Sequence, residues 1–520
     1  MRIPARFPAN PALFEIIAFS LVLLVSFHLV SERIRCAQLP SGDEGSWMSA
    51  AAQIARGEGF TTRWLEFPFL TPAELPRPDD LRYPGLVVAL ALSFNAFGIS
   101  YESALWTVAS VYFLFLCIVY LACRRAFGRP AAMITAAITA VSLLQLQWNS
   151  VVYSEGLFGV VAGALVLWST ACRDRRGAWF WVVLGAGCGA LYYVRPNGVL
   201  FGAGILWLYV AERKRGAKLS HAALGAASMI AVMLPWLIRT WYWFGSPFHL
   251  AANAMLFRGT ISERIDSSFL QFISHYGVMY PVKAVFLGAG HFGQTLQFFE
   301  HGLQVIPLAG VAVGLIARRR FFNPFVSAGF LLTFVACCYA SRIQGAWEGV
   351  RFFSSLLPFV YGYGVSALLS VLKSLGVWRR RTVAFAAVGM LLFVMVAPVY
   401  YPHEHYERTL KRKAPGDKAF LEHAKALCRN LPANGTYFAS SMAQVNFLYG
   451  YNCIGIQEQF VDSTCIRELV RKYSPTLLVV THKEFGDPRM QAIMREIRRK
   501  GRELRLSESN KYAVYWRIGD

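Results

Sequence analysis

Two adjacent acids, Asp43 and Glu44, stand in the run Ser41-Gly42-Asp43-Glu44-Gly45, just ahead of a stretch, 46–56, with helical character. A carboxylate at a helix N-terminus is favoured by the helix dipole and has a lowered pKa. An N-cap is the plainer role for Asp43. A third acid, Glu155, opens an apolar run in Tyr153-Ser154-Glu155-Gly156-Leu157-Phe158, a position from which a carboxylate can snorkel to water. Arg195, Arg239 and Arg351 stand at the ends of three other apolar runs. Acids beside arginines at one membrane face suit an anionic, lipid-borne substrate and a proton-abstracting base. A phosphate there needs fixed cations, and the planar guanidinium fork serves its oxygens better than the point charge of Lys.

The elements that must position these residues are membrane helices. The chain has 520 residues, 55% hydrophobic and only 16% charged, with a mean hydropathy of +0.40. A soluble domain carries roughly a quarter of its residues as charged groups, so this composition describes an integral membrane protein and excludes a disordered chain, a coiled coil or a disulfide-stapled miniprotein. Apolar runs at 12–30, 103–123, 131–146, 157–172, 179–194, 198–210, 222–244, 303–317, 324–340, 352–372 and 383–400 predict about eleven spans. The first follows Arg2 and Arg6 and has no small-residue cleavage site after it, so it reads as an uncleaved span.

Lys plus Arg outnumber Asp plus Glu by 52 to 30, a net charge of +22. In a soluble protein that excess would suggest nucleic acid; here it sets orientation, and no nucleic-acid partner is expected. Basic clusters fall at every second turn: Arg124/Arg125/Arg129, Arg173/Arg175/Arg176, Arg213/Lys214/Arg215/Lys218, Arg318/Arg319/Arg320 and Lys373/Arg379/Arg380/Arg381. The positive-inside bias then predicts a cytoplasmic N-terminus in a multi-pass protein of the plasma (inner) membrane. Residues 1–400 form the transmembrane domain, with outer loops at 31–101 and 245–301. The tail, 401–520, alternates short strand-like and helix-like pieces and predicts a small extracytoplasmic α/β domain.

The first outer loop carries a proline-rich, mixed-charge stretch, Pro76-Arg77-Pro78-Asp79-Asp80-Leu81-Arg82-Tyr83-Pro84-Gly85, running into the apolar 86–97. Together with Asp43-Glu44 and the helix after it, Phe97-Gly98, Ser154-Glu155-Gly156-Leu157-Phe158, Arg195-Pro196-Asn197-Gly198, Pro235-Trp236-Leu237-Ile238-Arg239, Phe244-Gly245-Ser246-Pro247-Phe248 and Arg351-Phe352-Phe353, it forms an ordered set over about residues 10 to 400. That set resembles the GT-C-type membrane glycosyltransferases that use polyprenyl-phosphate sugars and include the protein mannosyltransferases and the lipid A aminoarabinose transferase. The resemblance implies transfer of a sugar from a polyprenyl-phosphate-linked donor to an acceptor hydroxyl, with inversion, at the outer face. Asp43 would be the general base, with Glu44 beside it as the second catalytic acid. Arg82, Tyr83, Glu155, Arg195, Arg239 and Arg351 would bind substrate. No room exists for the large lumenal insert of the protein mannosyltransferases, so a lipid or glycan acceptor of the cell envelope is expected ahead of a protein. Arg82-Tyr83-Pro84-Gly85 stands where the aminoarabinose transferases carry a lysine-containing Pro-Pro motif.

No cofactor and no metal are expected. Asp79-Asp80 could be read as the metal-binding acids of oligosaccharyltransferases, a reading that is discounted, and His403-Glu404-His405 as a metal motif, though a solvated turn suits that sequence better. Asn434-Gly435 before a strand reads as a turn. The ten cysteines show no CxxC spacing, and Cys428, Cys453 and Cys465 in the tail leave any pairing open. The rival reading is a transporter or flippase for a lipid-linked sugar. Transporters place ionisable groups near the bilayer midplane on broken helices related by repeats, whereas here such groups gather at span ends and no repeat is evident.

Overall fold

The computed structural model describes residues 11–36, 42–65, 74–172, 177–248, 269–300, 305–317, 322–374, 417–432, 435–439, 450–455, 469–482, 488–499, 502–510 and 513–519. The chain opens on a long apolar helix, α1 (Pro11–Cys36). The loop after it folds as α2 (Gly42–Ala55) and three two-residue strands, β1 (Thr61–Thr62), β2 (Trp64–Leu65) and β3 (Arg77–Pro78). A helical body follows: α3 (Pro84–Phe97), α4 (Tyr101–Phe127), α5 (Arg129–Val141), α6 (Leu143–Asn149), α7 (Glu155–Ala171), α8 (Ala178–Val194), α9 (Gly202–Glu212), α10 (Leu219–Phe244), α11 (Phe269–Tyr276), α12 (Tyr280–Glu300), α13 (Val305–Ile316), α14 (Pro324–Ile343), α15 (Ala346–Ser354) and α16 (Leu357–Ser374).

By length and composition α1, α4, α10 and α14 can each cross a membrane, and two bent pairs, α5 with α6 (62°) and α15 with α16 (70°), raise the number to six. α3, α7 and α8 are shorter apolar helices. The protein is thus a multi-pass membrane protein, but the described residues do not reach eleven full-length spans. A helix lies on every expected run except 383–400, which falls outside the described residues. The shortfall has a physical reason. Ser142 interrupts the run 131–146 by leaving the helix and accepting a hydrogen bond from Gln145 N as the cap of α6. Such breaks are tolerated at membrane depth when buried in protein, and Ser142 is fully buried.

The helix ends divide the charges. Arg124 and Arg125 close α4, and Arg213, Lys214 and Arg215 follow α9. Glu155, Arg195 and Arg239 lie at or near the opposite ends of α7, α8 and α10. Arg125 reaches Ala171 O at the end of α7, so the C-terminal ends of α4 and α7 lie side by side. Most of the other basic clusters fall outside the described residues.

The tail contributes α17 (Asp417–Asn430), β4 (Thr436–Ala439), β5 (Asn452–Gly455), β6 (Leu477–Thr481), α18 (Pro488–Arg499), β7 (Glu503–Ser509) and β8 (Ala513–Gly519). Its sheet has six strands in the order β2-β5-β4-β6-β8-β7. The pairs from β2 to β6 are parallel and those of β8 with β6 and β7 antiparallel. One face packs with α17 through Trp64, Leu427, Tyr437 and Tyr515, the other with α18 through Phe438, Leu478, Ile493 and Ile497. Burial on both faces explains the uninterrupted apolar run of β6. The expected strands near 436–439, 453–456, 476–481 and 512–518 coincide with β4, β5, β6 and β8. β7 was not expected, because an exposed edge strand reads as polar sequence. The edge strand β2 belongs to the loop after α1, so that loop and the tail lie on one side of the membrane. The expected helix at 442–449, His403–His405, Asn434 and Cys465 fall outside the described residues; Cys428 and Cys453 are free thiols.

Candidate active site

Asp43 lies inside the first turn of α2 rather than ahead of it, so it is no N-cap. Its oxygens go to two guanidiniums: Arg82 Nη2 donates to Oδ1 at 2.9 Å and Arg351 Nη1 to Oδ2 at 3.3 Å. The side chain remains 33% exposed. Burial alone would raise this carboxyl, but the charges of Arg82 and then Arg351, with their hydrogen bonds, outweigh it and hold the group at about 2.

Arg82 is aimed by the turn before it. Asp79 Oδ1 accepts from Leu81 N at 2.7 Å and Arg82 N at 3.1 Å, an Asx-type arrangement in which the side chain replaces a backbone acceptor. Arg82 Nε then donates to Ser46 Oγ at 3.0 Å and the guanidinium lies 5.3 Å from the Trp47 ring. The following Pro84 starts α3, its fixed φ suiting the first helical position. Gly85 lets that helix abut the end of α8: a Cβ there would meet Tyr193 O and Val194 Cγ2 at 3.0 Å.

Arg351 sits on the short helix α15, which packs against α14 at Gly349, where a Cβ would stand 1.8 Å from Ser341 Oγ. Its Nε donates to Glu155 Oε1 at 2.6 Å, and Nη1 donates to Glu348 Oε1 and Oε2 at 3.2 and 3.0 Å. The guanidinium stacks 4.0 Å from the Tyr153 ring centroid, adding a cation–π contact. Arg195 is held extended (φ −155°) at the end of α8, as befits a residue before proline. Its Nη1 donates to Glu155 Oε1 at 3.1 Å and its guanidinium lies 4.4 Å from the Phe352 ring. Glu155 is fully buried. Three arginines and three carboxylates thus form one chain, Arg82–Asp43–Arg351–Glu155–Arg195 with Glu348 on Arg351, with no formal net charge. Such balance is what buried ions require.

The structure therefore brings together Asp43, Arg82, Glu155, Arg195 and Arg351 of the sequence expectations. It places three others elsewhere. Glu44 is buried and accepts from Val152 N at 2.8 Å and Tyr101 OH at 3.1 Å, tying α2 to the turn before α7. Consecutive helical residues point about 100° apart, so Asp43 and Glu44 face different neighbours. Tyr83 is buried among Tyr192, Met233 and Trp236. Arg239 donates to Phe60 O at 3.1 Å and Asp79 O at 3.0 Å, with its guanidinium against Trp236 and Phe60; it fastens the loop to α10. Two residues that sequence reasoning missed belong to the network, Glu348 and Ser46. The spacing Glu348-Gly349-Val350-Arg351, an acid three residues before an arginine on one helix, was the available signal.

Asp79 and Asp80 are buried. Burial lifts Asp79 to about 6 despite its backbone donors, and Asp80 pairs with buried Arg77. No three His, Cys, Asp or Glu side chains among the described residues stand close enough to hold a metal ion; Arg351 separates the carboxylates of Asp43, Glu155 and Glu348.

The family model for dolichyl-phosphate-mannose-protein mannosyltransferase matches residues 82–241, a segment that includes Arg82, Glu155 and Arg195. A search of curated proteins finds no match. Among solved structures, ArnT from Cupriavidus metallidurans bound to undecaprenyl phosphate is similar with a TM-score of 0.58 at 13% identity, over 96% of this chain and 97% of that one. The Archaeoglobus fulgidus oligosaccharyltransferase tethered to an acceptor peptide has a TM-score of 0.60 at 12% identity, over 92% of this chain and 70% of that one. The oligosaccharyltransferase AglB from the same organism, in complex with an inhibitory peptide and a dolichol-phosphate, has a TM-score of 0.54 at 14% identity, over 96% and 74%. By these comparisons the chain resembles the dolichyl-phosphate-mannose-protein mannosyltransferases over residues 82–241 and shares its fold with ArnT and the Archaeoglobus fulgidus oligosaccharyltransferase.

Proposed function

We propose that this protein transfers a sugar from a polyprenyl-phosphate-linked donor to a hydroxyl of a lipid or glycan acceptor at the outer face of the plasma membrane, with inversion. The observation that carries the reading is Asp43: a carboxylate, partly open, held between two arginines from different elements. The acceptor hydroxyl gives its proton to Asp43 while its oxygen bonds to the anomeric carbon. The bond from that carbon to the phosphate oxygen breaks, and polyprenyl phosphate leaves with the electron pair. Arg82 and Arg351 hold the phosphate and stabilise the charge that grows on it. Their field also makes free Asp43 a weak base. When a donor phosphate takes up part of that positive charge, Asp43 becomes more basic in the complex where the proton must move. Transfer to Asp43 is thereby linked to an occupied donor site. Similarity to structures bound to undecaprenyl phosphate and to a dolichol-phosphate supports the donor class. The basic helix ends, read with the positive-inside bias, support a site and a tail outside the cytoplasm.

The test is transfer by the purified full-length protein in lipid vesicles. Polyprenyl-phosphate sugars and nucleotide sugars are offered as donors, and surface glycans are compared by mass spectrometry with and without the gene. Polyprenyl-phosphate sugars should be consumed and one glycan or lipid should lose a sugar in the deletion. Direct use of a nucleotide sugar would sink the reading.

A further inference from the structure

Three carboxylates from three separate elements converge on one cation. Arg351 Nε meets Glu155 of α7; its Nη1 meets Asp43 of α2 and Glu348 of α15. Carboxylate oxygens gathered from separated parts of a chain are the donor set of a hard divalent ion, and here a guanidinium occupies their centre. Two further observations point the same way. Glu155 Oε2 is buried with no hydrogen-bond partner among the described residues, an acceptor left over on the most deeply buried acid. The bonds to these carboxylates use Arg351 Nε and Nη1, so the Nη2 edge of the guanidinium takes no part in them. A metal ion in such a site does the same: protein oxygens fill part of its coordination and an open position takes a substrate oxygen.

We infer that Arg351 is the resident cation of this site, standing where a metal-dependent enzyme would keep a divalent ion, and that removing its guanidinium converts Asp43, Glu155 and Glu348 into a divalent-cation site. Without Arg351 the three acids face only Arg82 and Arg195, leaving one buried negative charge uncompensated. A divalent ion is smaller than a guanidinium, so the carboxylates must close in. Asp43 and Glu348, each about a third exposed, have room to do so, while Glu155 stays fixed by Arg195. The part of Arg351 in holding the donor phosphate rests on the transferase reading above; the cation role does not.

The experiment is Mn²⁺ binding to the purified full-length protein, followed by electron paramagnetic resonance, with folding checked by circular dichroism and thermal melting. Arg351→Ala should bind one Mn²⁺ at least ~10-fold more tightly than the wild type, and adding Glu348→Gln should remove that gain. Arg351→Gln, closer in size, serves if the alanine variant does not fold. In the transfer assay the wild type should be indifferent to EDTA, and Mn²⁺ should restore part of the activity that Arg351→Ala loses. A folded Arg351 variant with no gain in Mn²⁺ affinity overturns the inference, as does stoichiometric Mn²⁺ binding by the wild type that Glu348→Gln abolishes. A Mn²⁺ gain in a protein that transfers no sugar from any polyprenyl phosphate would leave the cation role standing and remove the transferase reading.

Discussion

The loop after α1 carries two arginine–aspartate pairs that are alike on paper and different in the molecule. Arg77 and Asp80 are both about 5% exposed and pair with each other, with Arg77 lying over Phe244. Arg82 reaches across the loop to Asp43, which is 33% exposed and shared with a second arginine. The first pair is closed: both charges are buried against each other beside Phe244, away from solvent, so its role is to hold the loop against α10. The second is open: one carboxylate has solvent on one side and more cationic donors around it than its two oxygens use. Residue type does not separate a binding site from a fastening. What separates them is exposure and sharing: Asp43 opens to solvent and is held by two arginines, whereas Asp80 is buried against one.

The largest expected effect comes from the open pair. Asp43→Asn should keep the fold and donor binding yet lose at least ~100-fold in turnover, as for loss of a general base. Undiminished transfer by the purified variant would reduce Asp43 to a partner for arginines. The closed pair should respond in stability instead. Asp80→Asn leaves Arg77 buried without a counter-charge, a change that costs about 3–5 kcal/mol. A lowered melting temperature with normal turnover per folded molecule is the expected result; normal melting with lost turnover would move Asp80 into the site.

Lysine substitutions sharpen the contrast by keeping charge and losing the fork. Arg82→Lys should weaken donor binding or turnover by ~10-fold. Arg239→Lys, which loosens the carbonyls of Phe60 and Asp79, should act on melting alone. Equal kinetic losses in both variants would erase the distinction between them.

The smallest effect is one of pH. Asp79 is raised to about 6, so between about pH 4 and 6 the folded protein keeps a proton that the unfolded chain has released. This group's contribution therefore favours folding at the acid end of that window and fades as pH rises through 6. Asp43, held at about 2, works in the opposite sense: its pairing stabilises above about pH 4 and that stability is lost as pH falls towards 2. Asp79→Asn should flatten the pH dependence of melting between 4 and 6. An unchanged profile would mean that Asp79 titrates as an ordinary aspartate.

Much of this was legible in the sequence. Apolar runs located the helices, and charges at run ends singled out Glu155, Arg195 and Arg351, which the fold draws together with Asp43 although 308 positions separate Asp43 from Arg351. Side-chain direction was less legible. Glu44 and Tyr83 are each next to a network residue in sequence, but one step along a helix or turn sends the side chain to another neighbour. Arg239 stands at a span end like Arg195, and only the path of the loop decides that it meets carbonyls rather than a carboxylate. Glu348 was overlooked because an acid three positions before an arginine is ordinary on any exposed helix. Strand β2 left no trace at all, since two residues have no periodicity to read.

That short strand sets an order on the maturation of the chain. Trp64 and Leu65 pair with Cys453 and Ile454, and Arg63 beside them reaches Asn452 across 389 positions of sequence. At ~5–20 residues per second, the ribosome needs tens of seconds to make the partner after the loop itself has emerged. Until then the loop that bears Asp43 and Arg82 has one edge unpaired, so a nascent or truncated chain can insert its helices without finishing the loop. The strand at 452–455 thus completes the edge of the sheet that holds the loop bearing Asp43 and Arg82, and assembly of that loop waits for a partner made long after it.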